Sequence, residues 1–135
     1  MGERMKENLK NDVSVICFAF GGGCLRYFFT TWLGFSGTVV VNLSGCFLLA
    51  CLTYFFLTFK NFSEWLTIGL GTGLIGSYTT FSSYNLDLLK MILQHTTGEA
   101  VLYLVISILG GLLCAYCGAF CGTSLGKKLV RRRQR

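Results

Sequence analysis

Apolar residues come in four long runs along this chain, 13–33, 38–59, 65–86 and 100–126, and none of the runs contains an acidic residue. Each reaches the roughly 20 residues that cross a hydrocarbon core of about 30 Å. The pattern predicts an all-α integral membrane domain over 1–135, with four transmembrane helices at about 13–33, 38–59, 65–93 and 100–126. The polar residues before Val13 predict a tail or an interfacial helix, and a short basic tail follows the last span. The first span is not a cleavable signal, because it is long, lacks a small-residue cleavage site and precedes three more spans. The myristoylation pattern fails at Lys6.

One stretch breaks the apolar pattern. "GSYTTFSSYN", Gly76 to Asn85, carries seven hydroxyls in ten residues inside the third run. Upstream of it stand Gly69, Gly71, Gly73 and Gly76, each costing a helix about 1 kcal/mol relative to alanine. Tyr78, Thr79, Thr80 and Ser82 compete for backbone groups. A break in the third helix near Gly76–Thr80 is therefore predicted, with helix resuming at Phe81. Non-helical backbone at this depth has to be buried in protein or line a polar cavity. Its freed carbonyls suit a cation, and a half-helix N-terminus suits an anion.

Other polar positions are sparse. Arg26 follows close behind "GGGC" in the first span; it snorkels to the headgroups, caps carbonyls or holds a loop from a partner. Asn42, with Ser44 and Gly45 close behind, forms a small polar patch in the second span. A buried amide is costly unless paired, so Asn42 is either interhelical glue or a pore-facing donor. Tyr103 and Ser107 are spaced i, i+4 on one face of the fourth span. Gly69 with Gly73, and Gly118 with Gly122, form GxxxG faces for close helix approach. The sequons at Asn42 and Asn61 are not read as glycosylation sites, the first for its depth and the second for its side of the membrane.

Charge sets orientation. The chain carries +6, and with four spans ten of its twelve Lys and Arg share the side of both termini: Arg4, Lys6, Lys10, Lys60, Lys127, Lys128, Arg131, Arg132, Arg133 and Arg135. The positive-inside rule places both termini in the cytoplasm of a plasma-membrane protein. The basic tail reads as an orientation anchor on anionic lipid rather than a nucleic-acid site. The seven cysteines all lie in spans, and Cys114-x-x-Cys117 reads as small, soft packing residues.

Catalytic equipment is poor. There is one His, and none of the six acidic residues sits deep in a span core, Asp87 lying towards a helix end. No nucleophile–base pair, metal cluster or phosphate loop is visible, so an enzyme is not indicated. The inventory is of neutral donors, Asn42, Thr79, Thr80, Ser82, Ser83, Tyr84, Tyr103 and Ser107, which suit an anion. Phenyl edges join them, because the ring quadrupole is positive at its rim.

"GTVVVNLSG", followed by "GLIGSYTTFSSYNLD" and preceded by "GGCLRY", resembles the Fluc family of fluoride channels, also called CrcB. The likeness covers all four spans. It implies passive export of cytoplasmic fluoride for fluoride resistance, through a dual-pore antiparallel dimer. By that resemblance Asn42 is the pore amide and Phe81 a fluoride-facing ring, and Ser82, Ser83, Tyr84, Tyr103 and Ser107 complete the pathway. The Gly76 and Thr79 carbonyls would hold a structural sodium ion (Na+) at the dimer interface, and Arg26 would be structural. The chain departs from the family pattern at Tyr84, where phenylalanine is usual, and at Asp87, where glutamate is usual. Its strong charge bias implies a heterodimer with a homologue of opposite orientation, a homodimer being the alternative. A small antiparallel multidrug-type transporter would need a membrane-embedded carboxylate. The remaining alternative is a non-conducting partner subunit of a heterodimeric channel.

Overall fold

The computed structural model describes residues 2–59 and 62–133. Lys60 and Arg135 of the basic set, and Asn61 of the second sequon, lie outside the described residues. All regular structure among the described residues is helical: α1 (Gly2–Leu33), α2 (Phe35–Thr58), α3 (Glu64–Ile68), a π-helical stretch (Gly69–Ile75), α4 (Gly76–Tyr78), α5 (Phe81–Leu93) and α6 (Thr97–Arg133). Three of these helices, the first, the second and the last, are long and apolar enough to cross a membrane.

α1 and α6 run well past the apolar segments that define them. Their 32 and 37 residues correspond to about 48 and 55 Å at 1.5 Å per residue. The charged flanks therefore continue the helices instead of fraying into tails. The chain contains no proline to stop them, and Lys, Arg and Glu are good helix formers. Between α1 and α2 the reversal is made at Gly34, whose φ of 56° favours a residue without Cβ. Gly37 follows so closely that an added Cβ would meet the Thr30 backbone at 2.7 Å.

The molecule is built from two tight helix pairs. α2 and α6 make the most extensive contact, and α1 packs along residues 64–78. Both pairs are closed by glycine. A Cβ on Gly118 would land on the Phe47 carbonyl, and one on Gly122 on the Cys51 carbonyl. A Cβ on Gly69 or Gly73 would strike Ser14, Val15 or Phe18 of α1. The two GxxxG faces thus serve different partners, α1 and α2. Close backbone approach maximises dispersion contact where lipid removes the hydrophobic force between helices. Few side chains are buried, chiefly Val41, Ile75, Tyr78, Ala100 and Tyr103, while Leu112, Leu113 and Phe120 lie open on the outside.

The cysteines pair across helices rather than along one. Cys46 lies beside Cys114 and Cys51 beside Cys121, whereas Cys117 of the CxxC is exposed; all seven are free thiols.

Candidate functional site

The third apolar segment is interrupted after Tyr78. Thr79 and Thr80 are extended, with φ/ψ of −76°/156° and −148°/120°. Thr79 N–H still bonds the Ile75 carbonyl at 3.0 Å. The next rung is missing. Thr80 N–H, which a continued helix would direct to the Gly76 carbonyl, donates instead to Asn42 Oδ1 at 2.8 Å. Asn42 Nδ2 returns a bond to the Thr80 carbonyl at 2.9 Å. One amide side chain therefore replaces both backbone partners of a single residue, and the pairing fixes which end of the amide faces which group.

Thr80 also starts the helix that follows. Its hydroxyl accepts from Ser83 N–H at 3.2 Å, an N-cap on the third helical residue. The same hydroxyl donates to Ser83 Oγ at 3.1 Å.

Three sequence motifs converge on this interruption. In "VNLSG", Asn42 clamps Thr80, the Ser44 hydroxyl pairs with Tyr78 Oη at 2.9 Å, and Gly45 leaves room for the Thr79 methyl. In "GGGCLR", Gly22 lets α1 approach the Leu74 carbonyl and the Ser77 hydroxyl. One turn on, Arg26 Nη1 reaches the Thr79 carbonyl at 3.5 Å. Arg26 thus caps a carbonyl, one of the roles open to it from sequence. The contact is long, and its strength comes from the guanidinium charge.

Beyond the interruption the aromatic rings stack. Phe81 and Tyr84 have centroids 6.2 Å apart at 23°, and Tyr84 and Tyr103 are 5.1 Å apart at 15°. Tyr84 thus stacks with both neighbours. Phe81, at 77% exposed, leaves its edge and outer face open on the surface of the single chain. Tyr103 is buried, and its hydroxyl has no hydrogen-bond partner among the described residues. It sits beside Asp87, Tyr84 and Thr38. Ser107 lies one turn further along α6 and is half-buried, while Ser82 is exposed.

Counting donors shows what this surface offers. Asn42 Nδ2 has a second hydrogen beyond the one given to Thr80. Ser83 Oγ accepts from Thr80, so its own hydrogen is free. The Tyr103 hydroxyl makes no hydrogen bond of good geometry among the described residues, although the Asp87 carboxylate and Thr38 stand beside it. Asn42 and Ser83 thus offer neutral donors with no acceptor assigned, next to an open aromatic edge, and Tyr103 offers a third beside the Asp87 carboxylate. Such a set takes up negative charge without holding a counter-charge of its own.

Asp87 differs from its sequence reading. It lies near the middle of α5, which runs on to Leu93, instead of at a helix end. Its Oδ2 accepts from Thr38 Oγ1 at 2.7 Å. Thr38 is in the first turn of α2, so the carboxylate stands level with an end of the α2–α6 pair. Thr38 and the capping role of Thr80 escaped the sequence analysis. The order Thr80-Phe-Ser-Ser83 was the available signal for the cap.

The comparisons with known proteins bear on the same residues. The family model described as "CrcB-like protein, Camphor Resistance (CrcB)" matches residues 13–119. A protein of Lactobacillus delbrueckii subsp. bulgaricus named fluoride-specific ion channel FluC 1 is 48% identical over 126 residues, 93% of this chain and 98% of that one. A FluC 1 of Lactobacillus johnsonii is 44% identical over 128 residues, 95% and 99% of the two chains. A protein named FluC 2, from Ligilactobacillus salivarius, is 43% identical over 128 residues, 93% and 97% of the two chains.

Proposed function

The chain belongs to the CrcB family, and from that membership we propose how its geometry serves a passive fluoride-specific channel. The protein is a multi-pass membrane channel subunit, not an enzyme. The observation that carries the mechanism is the two-point clamp of Asn42 on Thr80. It holds a polar helix interruption open between α2 and α5.

In this reading residues 64–78 and α5 together make a fourth, broken span. Fluoride is small and strongly hydrated, so entry demands replacement of its water. Asn42, Ser83 and Tyr103 supply free N–H and O–H donors, with Ser82 and Ser107 extending the track. The Phe81 edge, and Tyr84 beside it, supply the positive rim of an aromatic quadrupole. All of these groups are neutral, so the anion is stabilised without being trapped. Hydrogen fluoride enters cells as a neutral acid and dissociates in the near-neutral cytosol. A negative interior then drives the anion out by about 2.3 kcal/mol per 100 mV. No pump or proton coupling is required.

Phe81 is open on the single chain, which supports a second subunit as the facing wall. An antiparallel dimer, with the plasma membrane as its site and both termini of this chain in the cytoplasm, follows from the family resemblance and the charge bias. The bias of ten basic residues to two favours a homologous partner of opposite orientation.

Two carbonyls at the interruption support the reading that a structural sodium ion binds there. Gly76 O has lost its helical donor to Asn42, and Gly76 is exposed. Among the described residues Thr79 O meets only the long Arg26 contact. Both are hard, neutral oxygens suited to an alkali cation. Bound there with the partner's carbonyls, the ion would neutralise the converging dipoles and tie the subunits together.

Fluoride efflux from proteoliposomes, with chloride as the control ion, tests the assignment. Selective fluoride release by this chain alone, or with its homologue, is expected. Proton-driven release of an organic cation would support a multidrug-type transporter instead.

A further inference from the structure

A groove of about 350 Å³ runs between α2 and α6 towards the basic end of α6. We propose that it binds one anionic phospholipid, with the acyl chain in the groove and the phosphate at its mouth.

The lining changes character along its length. Tyr116 and Phe120 form the inner, apolar part, Thr123 and Ser124 add hydroxyls level with Tyr54 of α2, and Lys127 stands at the end. That order matches a phospholipid read from tail to headgroup. Phe120, Ser124, Lys127 and Arg131 fall within about 60° of arc on one face of α6, at 3.6 residues per turn. Lys127 rises about 10 Å above Phe120 at 1.5 Å per residue, enough to separate ring from phosphate. The apolar run of α6 ends at Gly126, which puts Lys127 and Arg131 at headgroup depth.

Neither α2 nor α6 beyond Glu99 carries an acidic residue. α1, with Glu3 and Glu7, packs on α2 and on residues 64–78 rather than along α6. Lys127, Lys128, Arg131, Arg132 and Arg133 are exposed. Tyr116 and Phe120, at 75% and 71% exposed, present a surface that hydrocarbon wets and water does not. A general attraction of basic residues for an anionic leaflet needs no groove. The groove adds a fixed position and a preference for the residues on its stripe.

Native mass spectrometry of the assembled channel, reconstituted with equal phosphatidylglycerol and phosphatidylcholine and then washed in detergent, tests this. One phosphatidylglycerol per subunit should survive washing that strips phosphatidylcholine. The double substitution K127Q/R131Q should lower its retention about tenfold or more, taking each cation near the surface as a several-fold effect. Phe120→Ala should lower retention at unchanged charge, with Phe120→Leu as the milder second variant. K128Q/R132Q removes the same charge off the stripe and should leave most of the lipid bound. Equal retention of both lipids would overturn the proposal, as would equal losses from the two double variants. Unchanged retention in both K127Q/R131Q and the Phe120 variants would do the same.

Discussion

Replacing Asn42 separates the structural and electrostatic parts of the mechanism. Asn42→Ala removes both bonds to Thr80, at 2.8 and 2.9 Å. Interhelical side-chain bonds in membranes contribute about 0.6–2 kcal/mol each, so the pair is worth about 1–4 kcal/mol. Thr80 N–H would then be free to return to the Gly76 carbonyl, and the interruption would tend to close. Asn42→Asp keeps an acceptor for Thr80 N–H but sets a carboxylate oxygen against the Thr80 carbonyl in place of the donor. It also places a negative charge beside the anion track. At ~4 Å and an effective dielectric of ~20, repulsion of an approaching anion is about 4 kcal/mol, roughly a thousandfold in occupancy. The two variants should therefore part company. Asn42→Ala should unfold more readily in a denaturant titration, by about 1–4 kcal/mol. Asn42→Asp should still assemble, yet its fluoride efflux from liposomes, followed with a fluoride electrode, should fall by two to three orders of magnitude. Native efflux from Asn42→Asp would refute the placement of this amide on the track. Native unfolding of Asn42→Ala would refute the clamp.

Phe81→Ile should slow fluoride efflux without preventing assembly, because the ring is 77% exposed and gives up little buried contact; native efflux would remove Phe81 from the pathway. Gly122→Val drives a side chain into the Cys51 carbonyl, and overpacking of this kind costs about 1–3 kcal/mol or more, read as a lower thermal midpoint in detergent. Gly71→Ala meets nothing within 4 Å and should leave that midpoint unchanged or raise it, so equal damage from both glycines would contradict the packing argument. Replacing all sodium with a large organic cation should reduce efflux, whereas full activity without sodium would discard the Gly76 and Thr79 carbonyls as its ligands.

The long helices were legible because a membrane crossing needs about 20 consecutive apolar residues, and α1, α2 and α6 display them outright. Their full lengths were not, because Glu3 to Lys10 and Lys127 to Arg133 are too polar for the bilayer while remaining good helix formers. The glycine faces could be read as places of close approach, but spacing does not say which helix approaches. Gly69 and Gly73 meet α1, while Gly118 and Gly122 meet α2. The hardest feature to read was the partner of Asn42. Thr80 lies 38 residues away, and no local period connects a lone amide in one helix with an extended residue in another. The same holds for Thr38 and Asp87. Arg26 shows the ambiguity from the other side: its depth allowed snorkelling or capping, and only the position of the Thr79 carbonyl decides between them.

The central claim is that neutral donors gathered at a clamped helix interruption replace the hydration of fluoride. Paired efflux from proteoliposomes containing this chain with its homologue, one set loaded with fluoride and the other with chloride, tests it most directly. Rapid fluoride release with chloride retained, slowed by Asn42→Asp in this chain, is the expected result. Equal release of the two halides, or retention of both, would contradict the account.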